Sequence, residues 1–181
     1  FAALQAQNPQ VVGWIYSPDT VISYPVLKGT DNEYYLTHFM DGTENASGSI
    51  FMDYLCNPQF YQNNTLIYGH HMQNGGMFKT IADYKYEGYY DKHPVLYYLT
   101  PEKNYRLDVF AGFVTGGDSD VYAINFSSES EFGAFIDTMR SRSNFDTDIQ
   151  VTTADRIVTL STCSYEFDDA RYVVLCKVVD L

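Results

Sequence analysis

Cys163 closes the run Thr159-Leu160-Ser161-Thr162-Cys163, and Arg171 opens the next apolar run eight residues later. Side chains alternate along an extended strand, so Thr159, Ser161 and Cys163 share one face. If 157–163 and 171–178 pair as a long-looped hairpin, Cys163 and Arg171 sit opposite each other at the same end. A guanidinium there favours the thiolate, and its fixed donors can hold a carbonyl oxygen that is becoming negative. The plainer reading makes Cys163 a small buried hydrophobe and Arg171 a surface cation, as free cysteines and arginines commonly are.

A thiol nucleophile needs a proton partner, and four histidines are available. His70 lies in Tyr68-Gly69-His70-His71-Met72, after an apolar run and before a Gly-rich turn. Strand ends gather functional side chains, and glycine permits close approach of a loop. A neutral imidazole beside a thiol accepts its proton and can later protonate a leaving amine. His71 competes for the role, and the residue pattern alone does not separate the two. His38, on an expected helix, and His93, before Pro94, have no chemistry-bearing neighbours and read as structural.

Cys56, Cys163 and Cys176 are odd in number, so at least one thiol is free. No CxxC spacing or Cys/His cluster suggests zinc. Cys176 has strand parity opposite to Arg171 and should point away from the site. Cys56 sits at a strand end or in a loop, where it reads as a packing residue. The acidic group Glu166, Asp168 and Asp169 reads as a solvated loop, with selection of a cationic or amine-bearing partner as the sharper alternative.

Strands must position these residues. Runs at 11–16, 21–26, 49–54, 65–68, 94–99, 105–115, 156–163 and 171–179 read as strands. Residues 1–8 read as a helix ended by Pro9, opening as the end of a longer helix that would lead to a missing N-terminal anchor. Thr30 to Glu33 has capping-box form ahead of Tyr35, Leu36, Phe39 and Met40 at helical spacing. Residues 75–84 suggest a helical turn or two. Ser128 to Glu131 is a second capping box, introducing Phe132, Phe135, Ile136 and Met139 on one helix face. Many short strands with few helices predict a mainly β, antiparallel or mixed barrel in a single domain over 1–181.

Composition agrees. The chain has 17 Tyr, 12 Phe and one Trp, and 45% of its residues are hydrophobic, which favours a β-rich folded domain over disorder. A formal net charge of −12 disfavours nucleic acid as a partner. No run of residues approaches the roughly 18 apolar positions of a membrane span.

Thr159-Leu160-Ser161-Thr162-Cys163 resembles the TLxTC signature of the sortases, the transpeptidases that attach surface proteins to Gram-positive cell walls. Its four specified residues recur by chance at roughly 1 in 10⁵ per position. Arg171 in the following strand and Tyr68-Gly69-His70 far upstream match the family's arginine and histidine signatures in order. Val12-Gly13-Trp14-Ile15, Tyr24-Pro25-Val26, Asp31-Asn32-Glu33-Tyr34-Tyr35-Leu36 and Gly48-Ser49-Ile50-Phe51-Met52-Asp53 extend the likeness to class B. So does the helix at 128–140 before the cysteine strand.

The resemblance implies an eight-stranded sortase β-barrel decorated with N-terminal and inserted α-helices. It implies catalysis by Cys163, His70 and Arg171, with His70 favoured over His71 and with Ser161, Tyr122 and Thr162 touching substrate. Neither metal nor cofactor is required. Cys163 would attack the carbonyl after threonine in a sorting signal, NPQTN-like or proline-containing with TG, forming a thioacyl enzyme that a cell-wall peptide amine resolves. The partners would be a signal-bearing surface protein and a peptidoglycan precursor or cross-bridge amine, at the outer face of a Gram-positive cell membrane reached through the anchor. Two other readings compete with this one. A different Cys–His cell-wall peptidase or L,D-transpeptidase would usually carry a histidine just before the cysteine, which is absent here. A binding module with an unused thiol would leave the combined motifs without a purpose.

Overall fold

The computed structural model describes residues 1–181, and its eight strands close into a barrel. In chain order these are β1 (Val11–Tyr16), β2 (Ser23–Leu27), β3 (Ile50–Met52), β4 (Asn64–Tyr68), β5 (Val95–Leu99), β6 (Asn104–Gly116), β7 (Ile157–Cys163) and β8 (Ala170–Asp180). Around the barrel the order is β1-β2-β3-β4-β7-β8-β6-β5, and β1 pairs with β5 to complete the circuit. β2–β3 and β4–β7 run parallel, while the remaining neighbours run antiparallel. Closure leaves no free sheet edge.

Alternation along β7 divides the chain between two cores. Val158 and Leu160 point into the barrel, where they join Ile67, Tyr172, Val174 and Cys176. Ile157 points outward with Val173 and Leu175, beneath a helix. Thr159, Ser161 and Cys163 therefore lie on the outer face, which is where the cleft forms. The barrel interior is left for packing.

That covering helix is α3 (Glu129–Arg142). Ser128 caps it by accepting the Glu131 N–H at 3.1 Å, and Glu131 Oε2 accepts the N–H and hydroxyl of Ser127 at 2.7 and 2.6 Å. Phe132, Phe135, Ile136 and Met139 are all buried against the outer barrel face, as their spacing predicts. α1 (Ala2–Gln7) lays Phe1 and Leu4 on Val11, Leu27, Tyr35 and Phe51. α2 (Tyr89–Lys92) is a single turn preceding β5.

One segment differs from its expected form. Around residues 30–40 there is one 3-10 turn, Tyr34–Leu36, rather than a helix. Asp31, not Thr30, caps it, with Oδ1 accepting the Glu33 and Tyr34 N–H groups at 2.8 Å each. The chain then turns away, because the Phe39 N–H donates to Thr43 O at 2.9 Å instead of continuing a helical ladder. Residues Lys79–Lys85 form a 3-10 stretch, the helical turn or two expected over 75–84.

Asn64 joins the layers. It is fully buried, and its amide donates to Val121 O at 3.0 Å and Ala123 O at 2.9 Å, while its oxygen accepts the Thr159 hydroxyl at 2.8 Å. One side chain thus ties β4, β7 and the 120–123 turn together. Asn64→Asp keeps the shape but turns both donors into acceptors facing carbonyls. It is expected to lower unfolding free energy by about 2–4 kcal/mol, read as a reduced urea midpoint at unchanged slope. An unchanged midpoint would contradict this role.

Candidate active site

The floor of the site is a row of outward side chains set by strand register. Phe51 pairs with Tyr68 across β3–β4, Tyr68 with Ser161 across β4–β7, and Cys163 with Arg171 across β7–β8. All five line one cleft of about 320 Å³, together with Asn32, Leu36, Gly69, His70, Gly117, Tyr122 and Thr162. Cys163 and Arg171 are direct partners in the antiparallel pair, so their side chains emerge side by side from the same face.

His70 reaches the cysteine because β4 runs parallel to β7 and ends level with it. The Gly69 N–H donates to Ser161 O at 3.1 Å, and His70 O accepts the Phe78 N–H at 2.9 Å, which fixes the backbone on both sides of the turn. A Cβ on Gly69 would overlap Ile50 and Phe78, so only glycine lets the turn sit this low. His70 Nε2 lies 2.6 Å from Leu36 O. A carbonyl only accepts, so Nε2 carries the hydrogen and Nδ1 is left for the sulfur.

The thiol and imidazole act on each other. Hydrogen bonding to His70 holds the Cys163 thiol below its ordinary range; partial burial opposes this, and the Arg171 charge assists it. Hydrogen bonding to Cys163 raises His70 in turn, against partial burial and with help from Leu36 O. The two shifts bring the groups' titrations closer together. The thiolate–imidazolium pair is therefore more populated than ordinary cysteine and histidine would allow.

His71 takes a different position. Its Nδ1 donates to the main-chain carbonyl of Cys163 at 3.1 Å, and its ring meets Tyr165 edge-on at 5.1 Å between centroids. It braces the backbone of the cysteine. His38 stacks on Tyr34 and His93 packs on Tyr89, and neither lines the cleft.

Ser161 and Tyr122 meet through their hydroxyls at 2.9 Å on the cleft wall. Tyr122 belongs to the 3-10 turn Asp120–Tyr122, capped by Ser119 and held by Asn64. Thr162 also borders the cleft, yet its hydroxyl is sealed from solvent and has no partner, because its parity turns it toward the barrel interior. Cys56 and Cys176 are both buried, and burial pushes the Cys56 thiol up to about 11 and the Cys176 thiol higher still.

The acidic loop is mostly engaged internally. Glu166 pairs with Lys85 at 2.9 Å. Although burial opposes ionisation, the Ser164 hydroxyl and Lys85 hold the Glu166 carboxyl at about 2. Asp169 pairs with Arg171 at 2.7 Å.

Two features escaped the sequence reading. One is the Leu36 carbonyl, a backbone group with no signature. The other is buried Asp53, whose Oδ2 accepts from Asn32 Nδ2 at 2.8 Å and the Tyr68 hydroxyl at 2.9 Å. It thereby orients two cleft-lining side chains. The only available signal was that Asp53 ends a strand-like run.

A sortase-domain family model matches residues 15–179, and the chain belongs to the sortase family. It is 33% identical over 181 residues to sortase B of Staphylococcus aureus (strain NCTC 8325 / PS 47), covering 99% of this chain and 74% of that protein. It is 35% identical over 178 residues to sortase B of Listeria monocytogenes serovar 1/2a, covering 97% of this chain and 72% of that one. A crystal structure of S. aureus sortase B matches with a TM-score of 0.95 at 32% identity, over 100% of this chain and 87% of that one. The enzyme is thus a sortase cysteine transpeptidase, most like sortase B in type.

Thiol reactivity should follow these environments. Iodoacetamide at about pH 7.5 is expected to label Cys163 alone in the folded protein, with Cys56 and Cys176 modified only after denaturation. Arg171→Ala removes a charge that favours the thiolate, so the midpoint of the labelling rate should move to higher pH. Labelling of Cys56 at the rate of Cys163 would overturn the assignment.

Proposed function

We propose that this enzyme cleaves the C-terminal sorting signal of a surface protein after threonine and transfers the new carboxyl end to a cell-wall peptide amine. The observation that carries the reading is the convergence of Cys163, His70 and Arg171 in one open cleft on the outer barrel face.

In the first half-reaction the Cys163 thiolate attacks the threonine carbonyl carbon. The oxygen takes up the electron pair and lies against the Arg171 guanidinium. The C–N bond then breaks, and the His70 imidazolium gives its proton to the departing amine. A thioester remains on Cys163 and His70 is neutral. In the second half, an acceptor amine attacks the thioester, His70 takes a proton from it, and the thiolate leaves. The starting ion pair is regenerated.

The other residues have roles to match. Tyr122 and Ser161, joined through their hydroxyls, form a wall against which an extended peptide lies, and Thr162 supports that wall from inside. The Leu36 carbonyl keeps Nδ1 of His70 as the working nitrogen. The setting we propose is the outer face of a Gram-positive cell membrane, where both the signal-bearing protein and the acceptor amine are found. No helix of this chain is long and apolar enough to cross a membrane.

Two outcomes test the reading. Cys163→Ala is expected to abolish cleavage of an NPQTN-type peptide, while Cys56→Ala leaves it largely intact. Mass spectrometry of wild type should show an acyl adduct on Cys163 that disappears on adding an amine. Cleavage by Cys163→Ala at the wild-type rate would refute the mechanism. The rate should also be bell-shaped in pH, since the ion pair needs Cys163 ionised and His70 protonated. A lowered thiol and a raised imidazole place the acid limb below the ordinary cysteine range and the alkaline limb above the ordinary histidine range. A flat profile from about pH 5 to 10 would count against it.

A further inference from the structure

We infer that Asp169 is a positioning residue of the transfer reaction, holding the Arg171 guanidinium beside Cys163 from a seat that exists because residue 117 has no side chain. The inference rests on the role given to Arg171 above.

Asp169 Oδ1 lies 2.7 Å from Arg171 Nη2, and Nη1 donates to the Ala170 carbonyl at 3.1 Å. The guanidinium is thus held by one ion pair and one hydrogen bond, and it keeps donors for the cleft that Arg171 lines. Without these contacts the guanidinium sits at the end of a long, flexible side chain with many rotamers.

The carboxylate itself is held from two sides. Asp169 has φ of 60°, the left-handed region that Asp tolerates better than most residues. The loop behind it is tied by Ser164 N–H to Ala170 O at 2.9 Å and by the Lys85–Glu166 pair. Across from it, a Cβ on Gly117 would overlap Asp169 Oδ2. Gly117 is not in the left-handed region, so its backbone would accept an ordinary residue. What excludes a side chain there is the Asp169 carboxylate.

Stability does not account for this arrangement. The Asp169 side chain is 63% exposed and that of Arg171 30%, and such pairs contribute little to folding. The carboxylate even works against the thiolate, raising Cys163 where Arg171 lowers it. A left-handed residue and an open neighbouring position thus serve a contact of small energetic worth whose geometric effect is to aim a catalytic cation.

Asp169→Gly keeps the left-handed backbone and removes the carboxylate, and Gly117→Ala displaces the carboxylate while keeping its charge. With an NPQTN-type fluorogenic peptide, both variants should lose about tenfold in kcat with KM within about twofold, in the range that small misplacement of a catalytic group costs. The labelling midpoint of Cys163 should move to lower pH in Asp169→Gly but not in Gly117→Ala. Slower transfer with an easier thiolate is a combination that general loosening does not give. In an Arg171→Ala background, Asp169→Gly should have no further effect on kcat. Wild-type kcat in Asp169→Gly, or an equal loss in both backgrounds, overturns the inference while wild-type cleavage leaves the transferase reading intact. If wild type does not cleave the peptide, it is that reading that fails. The clamp is then judged by NMR: the Arg171 Nε–H signal should be distinct in wild type and collapse to the solvent-averaged position in Asp169→Gly, and an unmoved signal refutes it.

Discussion

The parallel pairing of β4 with β7 is the constraint on which the site depends. It sets Tyr68 level with Ser161, so the chain leaving β4 arrives where β7 ends. His70 and Cys163, 93 positions apart, then share one cleft. The antiparallel β7–β8 hairpin adds Arg171 from the opposite side by direct register. Three groups with no local connection are fixed by two strand pairings, and a slip of one residue in either would turn a side chain to the wrong face.

Electrostatics act on top of this geometry. Cysteine and histidine with ordinary pKa values would mostly sit neutral together near neutral pH. Here the mutual hydrogen bond and the guanidinium move the two groups toward each other's range. The site lies in an open cleft on the outer barrel face rather than in the core.

Much of this was legible because it is local. The face shared by Ser161 and Cys163, the loop joining Cys163 to Arg171, and the Ser128 cap with its four apolar positions follow from alternation, hairpin geometry and helical spacing. The family itself was legible in the Thr159–Cys163 run. The His70–His71 ambiguity was not resolvable from the pattern, since it depends on which imidazole faces sulfur and which faces the Cys163 carbonyl. The expected helix after residue 30 failed because Asp31 caps a single turn and residues 39–43 form their own bend. The contacts of Asn64 and Asp53 were not legible, because their partners lie up to 95 and 21 residues away in sequence.

The order of strands around the barrel also bears on how the protein matures. β7 pairs with its sequence neighbour β8 on one side, but on the other it inserts against β4, joining residues 93 positions apart such as Tyr68 and Ser161. Contacts of such long sequence separation form slowly. Until β7 docks on β4, the cysteine has no imidazole beside it and behaves as a largely protonated thiol. Reactivity is therefore withheld from the nascent chain and appears only once the barrel is shut.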